Sequence, residues 1–168
     1  MILGYPVIDL KSTARRLDIG VEGYPDYDKI NFGQVHPNVN PADIFVRENN
    51  KTYVNFEIAM NAYMFGGYPT DEQIYQYSLQ NHVTDTTPPA FIWHGGEDGL
   101  IYPRNSFMFA EALREHNIPC ELHVFGKGGH GLGLANEVTE NNSWEVNEQC
   151  AMWPKLAADW IKSILRQQ

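Results

Sequence analysis

The stretch "PPAFIWHGGEDGLIYPRNSFMFAEALREHNIPCELHVFGKGGHGLGL", residues 88–134, decides the fold of this chain. It contains an apolar strand at Phe91–Trp93 and a second strand at Glu121–Phe125. The helix between them has four small or apolar residues on one face, namely Ser106, Phe109, Ala110 and Leu113. Strands that alternate with helices at this spacing pair in parallel, so the pattern predicts an α/β layer fold.

The two ends of the chain extend this pattern. "MWPKLAADWIKSILRQQ", residues 152–168, predicts a closing helix with Pro154 in its first turn. Its buried stripe is predicted to consist of Ala157, Trp160, Ile161 and Ile164. The opening run "MILGYPVI" is continuously apolar, which suits a strand buried on both faces. We therefore expect parallel strands with flanking helices.

The segment from Asp9 to Asn81 is irregular. Residues 24–41 are rich in Pro, Asn, Asp and aromatics and predict a loop. A helix ending near Gly66 is predicted from one apolar face, made of Phe56, Ala59, Met60 and Tyr63. A second, short helix is predicted after Thr70, its N-cap, with Gln73 completing a capping box.

Composition excludes several classes of protein. The 168 residues are 43% hydrophobic and 20% charged, as in an ordinary globular domain. The net charge of -9 and the lack of a basic run argue against nucleic-acid binding. No stretch reaches the ~20 apolar residues of a membrane helix. Cys120 and Cys150 are too few for a disulfide scaffold, so we expect a reducing, cytoplasmic location unless a preceding segment carries a secretion signal.

Polar residues follow both strands of the central stretch, where the chemistry of a parallel sheet gathers. The first loop carries His94, Glu97 and Asp98, and the second carries His130 among glycines. A carboxylate can hold an imidazole in one tautomer and stabilise the imidazolium that forms when it takes a proton. An acid on the first loop and His130 on the second would thus suit the orienting carboxylate and the base of a hydrolase.

Less specific interpretations of these two residues stay open. Asp98 could cap the helix that begins near Pro103, and His130 could be a solvated loop residue. His94 is expected to serve the end of its strand structurally. The other histidines are expected on the surface or in packing: His36, His82, His116 and His123.

Metal and dinucleotide sites are also conceivable. The candidate metal ligands lack a recognised spacing: His94, Glu97, Asp98 and His130. "GKGGHG", residues 126–131, matches Gly-x-Gly-x-x-Gly, but the βαβ unit required for a dinucleotide is missing after it. We expect no metal and no cofactor.

A nucleophile is not apparent in the sequence. Serines occur at positions 12, 78, 106, 143 and 163, and none lies in Gly-x-Ser-x-Gly. Cys120 opens a strand and Cys150 precedes the last helix, so neither is placed on a strand-to-helix turn beside His130.

The region from Tyr75 to Leu165 resembles the C-terminal part of α/β-hydrolase esterases. The similar groups are acetylxylan esterase-like and dienelactone hydrolase-like enzymes, akin to the catalytic domain of prolyl oligopeptidases. The resemblance implies a partial α/β-hydrolase fold, with Asp98 as triad acid, His130 as triad base and Glu97 at a common Asp-Asp position. It also implies that residues 1–168 are a single C-terminal portion, with a lid or insertion at about 9–61, that lacks the nucleophile-elbow half.

The implied function is that of a serine-hydrolase-family carboxylic-ester hydrolase. Its substrate would be a small ester, including acetylated sugars, once an N-terminal half completes the site. The alternative is an inactive fragment that acts as a binding module, self-associates or complements another chain through an exposed sheet edge. An aromatic-rich segment would serve glycan binding in that case: Tyr24, Tyr27, Phe32, Phe45, Tyr53, Phe56, Tyr63, Phe65 and Tyr68.

Overall fold

The computed structural model describes residues 1–11, 16–22, 38–140 and 145–166. The chain divides into two compact units, one of Met1–Ile8 with Leu79–Gln168 and the other of Asp9–Ser78. Most of the predicted loop 24–41 lies outside the described residues, as do Ser12, Tyr24, Tyr27, Phe32, His36 and Ser143. Within the described ranges, no helix is long and apolar enough to cross a membrane.

The elements of the described residues follow one another in chain order. The strands are β1 (Ile2–Gly4), β2 (Arg16–Glu22), β3 (Phe45–Glu48), β4 (Lys51–Asn55), β5 (Ala90–Gly95) and β6 (Cys120–Phe125). The α-helices are α1 (Pro41–Ile44), α2 (Phe56–Phe65), α3 (Asp71–Tyr77), α4 (Arg104–Glu115) and α5 (Trp153–Leu165). Short 3₁₀ turns cover Leu79–His82 and Cys150–Met152.

The first unit contains a parallel sheet in the order β1-β5-β6. β5 pairs with β6 along its whole length, from Ala90 beside Cys120 to Gly95 beside Phe125. β1 pairs with β5 from Ile2 beside Phe91 onward. The parallel pairing predicted from the strand–helix–strand pattern is therefore confirmed.

Alternate residues of β5 build two separate cores on the two faces of this sheet. Ala90 and Ile92 pack with Phe109 and Leu113 of α4. Phe91 and Trp93 pack on the other face with Trp160 of α5. All six residues of β5 are buried, and a strand covered on both faces accounts for its four consecutive apolar residues, Ala90 to Trp93.

The prediction for the opening run is wrong in its extent. β1 covers only Ile2–Gly4, and Ile2 is 44% exposed rather than buried on both faces. The chain turns at Tyr5, whose φ of 39° is left-handed, and Ile8 then enters the α4-side core outside the strand. Only Ile8 of this apolar run is buried, because the strand is short and lies at the edge of the described sheet.

The two long helices largely match their predicted faces. All four residues predicted to share a face of α4 are buried: Ser106, Phe109, Ala110 and Leu113. In α5, Ala157 and Trp160 are buried, whereas Ile161 is 38% exposed and lies at the margin of the stripe. The N-cap of α4 is Pro103 with no side-chain hydrogen bond, so Asp98 does not cap this helix.

The second unit holds an antiparallel sheet in the order β2-β4-β3, which the irregular sequence pattern did not predict. β3 and β4 form a hairpin around Asn49 and Asn50, whose φ angles are 50° and 57°. Two left-handed residues form the turn that matches the twist of a hairpin, and asparagine tolerates this conformation well. The hairpin therefore has a local sequence signal in its two asparagines.

The helices of the second unit begin and end close to their predicted positions. α2 is capped by Asn55 and ends at the left-handed Gly66, and α3 has the complete capping box of Thr70 and Gln73. The predicted buried face of α2 is wrong, because Tyr63 is 76% exposed. Ala62 and Asn61 are buried instead.

The loops that follow β5 and β6 in the first unit are joined by backbone hydrogen bonds. The N–H of Gly96 donates to the carbonyl of Phe125 at 2.7 Å, and the N–H of Glu97 donates to the carbonyl of Gly128 at 3.0 Å. A Cβ on Gly95 would overlap the carbonyl group of Gly128. A side chain at position 95 would thus separate the two loops.

Gly95→Ala should therefore destabilise the chain by about 1–3 kcal/mol, the usual cost of forcing extra atoms into a packed site. Gly99→Ala is the matched control, because a Cβ there would meet nothing within 4 Å. Urea denaturation of both variants measures the difference in unfolding free energy. Equal losses at the two positions would show that the loop contact is not the cause.

Candidate functional site

Asp98 and His130 lie in the loops after neighbouring parallel strands. Asp98 comes three residues after β5 ends at Gly95, and His130 comes five residues after β6 ends at Phe125. Because the carboxyl ends of parallel strands meet at one edge of a sheet, these loops converge. The structure therefore brings together the two residues that the sequence analysis singled out.

The imidazole of His130 is hydrogen-bonded to the Asp98 carboxylate. Nδ1 of His130 lies 2.9 Å from Oδ2 of Asp98. An ionised carboxylate can only accept, so Nδ1 carries the proton and donates it, which leaves the lone pair on Nε2. Nε2 has no hydrogen-bond partner among the described residues, and the His130 side chain is 30% exposed. This nitrogen is free to take a proton from a reacting group.

The Asp98 carboxylate is buried and fully hydrogen-bonded. Oδ1 accepts from the N–H groups of Leu100 at 3.0 Å and Ile101 at 2.8 Å. Oδ2 accepts from His130 and also lies 3.1 Å from Nε2 of His94. Burial alone would raise the pKa of Asp98, but the hydrogen bonds from His130, His94 and Ile101 outweigh it and hold this pKa well below its usual range. The carboxylate is therefore ionised at neutral pH.

His94, near the end of β5, hydrogen-bonds to the Asp98 carboxylate as well as to its other neighbours. It is fully buried, and its Nε2 lies near two acceptors, Oδ2 of Asp98 and the carbonyl of Ile101 at 2.8 Å. Nε2 must therefore carry the proton, and Nδ1 accepts from the hydroxyl of Ser106 at 2.7 Å. A chain of hydrogen bonds thus runs from Ser106 through His94 to Asp98. The sequence analysis expects a structural role for His94. The structure shows which group it contacts, namely the Asp98 carboxylate that also binds His130.

Tyr5 contacts the other side of the site and was not singled out from the sequence. Its ring centroid lies 4.8 Å from that of His130 and 5.0 Å from that of Trp93. The N–H of Gly133 donates to its hydroxyl at 3.4 Å. A non-glycine residue with positive φ is uncommon and often found at functional sites. Tyr5 therefore helps to fix the His130 ring.

Glycines shape the loop that carries His130. Gly128 and Gly131 flank it with φ angles of 105° and 76°, which side-chain-bearing residues rarely adopt. The buried Cys150 lies below this loop, with Sγ 3.4 Å from the carbonyl of Lys127. The glycines thus permit the sharp turns that present the imidazole.

No serine or cysteine of the described residues is hydrogen-bonded to His130. Ser106 is bonded to His94, and Ser163 donates to the carbonyl of Trp160 at 2.7 Å. Burial raises the pKa of both thiols, Cys120 and Cys150, which disfavours the nucleophilic thiolate.

The structure does not support the metal or the dinucleotide interpretation. Glu97 points to an ion pair with Lys127 rather than to the histidines. No group of three or more metal-ligating side chains is found among the described residues. Residues 126–140, all described, contain no helix after β6, which a dinucleotide fingerprint requires.

Comparison with known proteins gives a family match and one curated relative. Residues 42–148 match the prolyl oligopeptidase family. An endo-1,4-beta-xylanase B from Butyrivibrio fibrisolvens is 47% identical over 74 residues, which are 44% of this chain and 12% of that protein.

Solved structures are similar over larger parts of the chain. A carboxylesterase from Lactobacillus plantarum gives a TM-score of 0.60 at 29% identity. The match covers 96% of this chain and 43% of the carboxylesterase chain. A sugar hydrolase from Lactococcus lactis gives 0.55 at 33% identity, with coverages of 58% and 39%. An acetyl ester-xyloside bifunctional hydrolase from Caldicellulosiruptor lactoaceticus gives 0.50 at 37% identity, with coverages of 59% and 33%. This chain spans less than half the length of each of these relatives.

The low pKa of Asp98 predicts that the stability of the fold falls as the pH is lowered. A carboxyl whose pKa is lower in the folded state than its ordinary value of about 3.9 contributes stability above that value and loses it as the pH falls toward the folded-state pKa. Asp98→Asn should therefore be clearly less stable than wild type at pH 7, and the difference should shrink below about pH 4.

Thermal unfolding followed by circular dichroism between pH 7 and pH 2 measures this convergence. Asp159→Asn is the control, because that carboxyl also has a lowered pKa but is exposed and solvent-screened. A constant gap between wild type and Asp98→Asn at every pH would contradict the proposed ionisation.

His94→Phe should lower the free energy of unfolding by about 1–3 kcal/mol, since it removes one hydrogen bond from the buried Asp98 carboxylate and takes the imidazole partner from the Ile101 carbonyl and the Ser106 hydroxyl. His116→Ala is the control, because His116 forms an exposed pair with Asp85 and should change little. Urea titration of the two variants gives the comparison, and wild-type stability in His94→Phe would exclude the inferred network.

Proposed function

This chain belongs to the prolyl oligopeptidase family, and we propose that it supplies the acid and base of a serine ester hydrolase. The proposal rests on one observation, the hydrogen bond between Nδ1 of His130 and the buried Asp98 carboxylate. The parallel sheet with helices on both faces and the likeness to a carboxylesterase establish a partial α/β-hydrolase fold.

In this proposal His130 moves the proton of the reaction. Its Nε2 accepts a proton from the nucleophilic hydroxyl as that oxygen attacks the ester carbonyl, and later returns it to the leaving alcohol. Asp98 holds the Nδ1–H tautomer and stabilises the imidazolium formed in between. His94 and Tyr5 act as positioning residues, because they contact Asp98 and the His130 ring rather than the reacting atoms.

The nucleophile is proposed to come from polypeptide outside these 168 residues. None of the serines lies in Gly-x-Ser-x-Gly, and no described serine contacts His130. In the described sheet, β1 is an edge strand that pairs with β5 alone. A strand carrying the serine turn would pair with the open edge of β1, either as part of a longer chain or as a complementing one.

The substrate class is proposed from the relatives as a short-chain ester of a sugar. One relative is named as an acetyl ester-xyloside hydrolase and another as a sugar hydrolase. Members of one fold can differ in substrate, so the acyl group and the alcohol must be tested separately.

The isolated chain should hydrolyse 4-nitrophenyl acetate no faster than buffer, because loss of a triad nucleophile lowers kcat by about 10⁶-fold. A polypeptide extended upstream of Met1 to an in-frame Gly-x-Ser-x-Gly should hydrolyse it. In that polypeptide, His130→Ala should lower kcat by about 10⁶-fold and Asp98→Asn by about 10⁴-fold.

His116→Ala is the control and should leave kcat unchanged, since His116 pairs with Asp85 instead of Asp98. Full activity of His130→Ala in the extended polypeptide would refute the proposed base. Turnover by the isolated chain that disappears in His130→Ala would instead refute the external nucleophile. Acetylated and butyrylated xylosides, compared by kcat/KM, then define the substrate.

A further inference from the structure

A cavity of about 230 Å³ lies in the second unit and is lined by none of the residues of the proposed hydrolysis. Its lining residues all belong to the Asp9–Ser78 unit, whereas Asp98 and His130 belong to the other unit. The lining consists of Lys11, Glu57, Ile58, Asn61, Tyr68, Pro69, Asp71 and Ile74. Polar and apolar side chains therefore share one small concave surface.

Asn61 provides a buried acceptor in this lining. The residue is 4% exposed, and its Nδ2 donates to the carbonyl of Leu10 at 3.3 Å. Its Oδ1 accepts no hydrogen bond from any described residue. Buried polar atoms without a partner are rare in native proteins and require an explanation. A ligand that brings a hydroxyl or amine donor to this oxygen would provide it.

Glu57 offers a second acceptor one helical turn before Asn61. Residues four apart lie on the same face of a helix, so the two side chains of α2 are neighbours. No described residue donates a hydrogen bond to the Glu57 carboxylate. Burial, together with the charge of Asp9, raises the pKa of Glu57. Both effects disfavour the ionised form of Glu57, and a hydrogen bond donated by a ligand would stabilise that form.

The charges of the lining decide between ligand classes. Lys11 and Asp71 form an ion pair at 2.9 Å, so a positive and two negative side chains line the cavity once Glu57 is included. A cationic ligand would lie near the ammonium of Lys11, and an anionic ligand would lie near both carboxylates. A neutral ligand with several hydroxyls avoids either repulsion, because hydroxyls both donate and accept.

Size and apolar contacts narrow the class further. Sites for drug-sized ligands measure about 300–1,000 Å³, so this smaller cavity suits a single ring. Ile58, Ile74 and Tyr68 add apolar surface to the same lining. A sugar ring presents carbon faces to such residues and hydroxyls to the polar ones.

We propose that this cavity binds one neutral sugar residue, with ring hydroxyls donating to Oδ1 of Asn61 and to the Glu57 carboxylate. The proposed ester hydrolysis uses none of the residues that line this cavity. Binding is therefore measurable on the chain as it stands, without any activity assay.

Titration of the full chain with methyl β-D-xylopyranoside, followed by NMR chemical shifts and calorimetry, tests the site. Saturable binding is expected, and Asn61→Leu and Glu57→Ala should each raise Kd by roughly tenfold, as for one lost hydrogen bond. Glu72→Ala on α3 is the matched control, because Glu72 is exposed and pairs with Gln76 outside the cavity. Far-UV circular dichroism checks the fold of each variant, and Glu57→Ala alone carries the test if Asn61→Leu unfolds.

Three results would overturn the proposal. No saturable binding of the xyloside would exclude a sugar site. Saturable binding of n-butylammonium or propionate in place of the xyloside would assign the cavity to a charged ligand. Equal Kd values for Glu57→Ala and Glu72→Ala would place the sugar elsewhere on the chain. None of these results bears on the assay with His130 variants.

Discussion

The buried carboxylate of Asp98 is the constraint on which the site depends. An ionised group in a protein interior is strongly unfavourable unless hydrogen bonds replace its lost hydration. Here two backbone N–H groups hold Oδ1, and two imidazole N–H groups hold Oδ2. The path of residues 98–101 and the tautomers of His94 and His130 follow from this requirement, because each must present a donor.

The same requirement links the site to the core of the first unit. His94 belongs to the buried strand β5, and its Nε2 reaches the Asp98 carboxylate in the loop that follows. The hydroxyl of Ser106 fixes the other nitrogen of His94 from the first turn of α4. A helix that packs one face of the sheet therefore also sets the orientation of the carboxylate, and stability and site geometry share the same residues.

Local patterns predicted some of these features and could not predict others. The buried face of α4 was predicted because its apolar residues recur at 3.6-residue spacing against polar ones. The sequence "FEIAMNAYMF" of α2 is apolar on most sides, so periodicity could not choose between Tyr63 and Ala62. Asp98 and His130 were expected to lie close together from the topology of parallel strands, and the structure places Nδ1 of His130 2.9 Å from Oδ2 of Asp98. Their catalytic role remains a prediction. The ring contact of Tyr5 joins it to a residue far along the chain, which no local pattern can indicate. The hydrogen bonds of His94 reach only four to twelve residues along the chain, but they depend on the path of the loop after β5 rather than on a periodic pattern.

Cys150 lies beneath the loop that carries His130, so the reactivity of its thiol depends on whether this loop is closed. Its side chain is fully covered, and a Cβ at Gly128 would come within 2.8 Å of the sulfur. The glycine-rich loop forms part of the cover of Cys150, so lifting of this loop would expose the thiol to a reagent. The labelling rate of Cys150, measured separately from that of the more exposed Cys120, therefore reports how often this region opens, in the manner of amide hydrogen exchange.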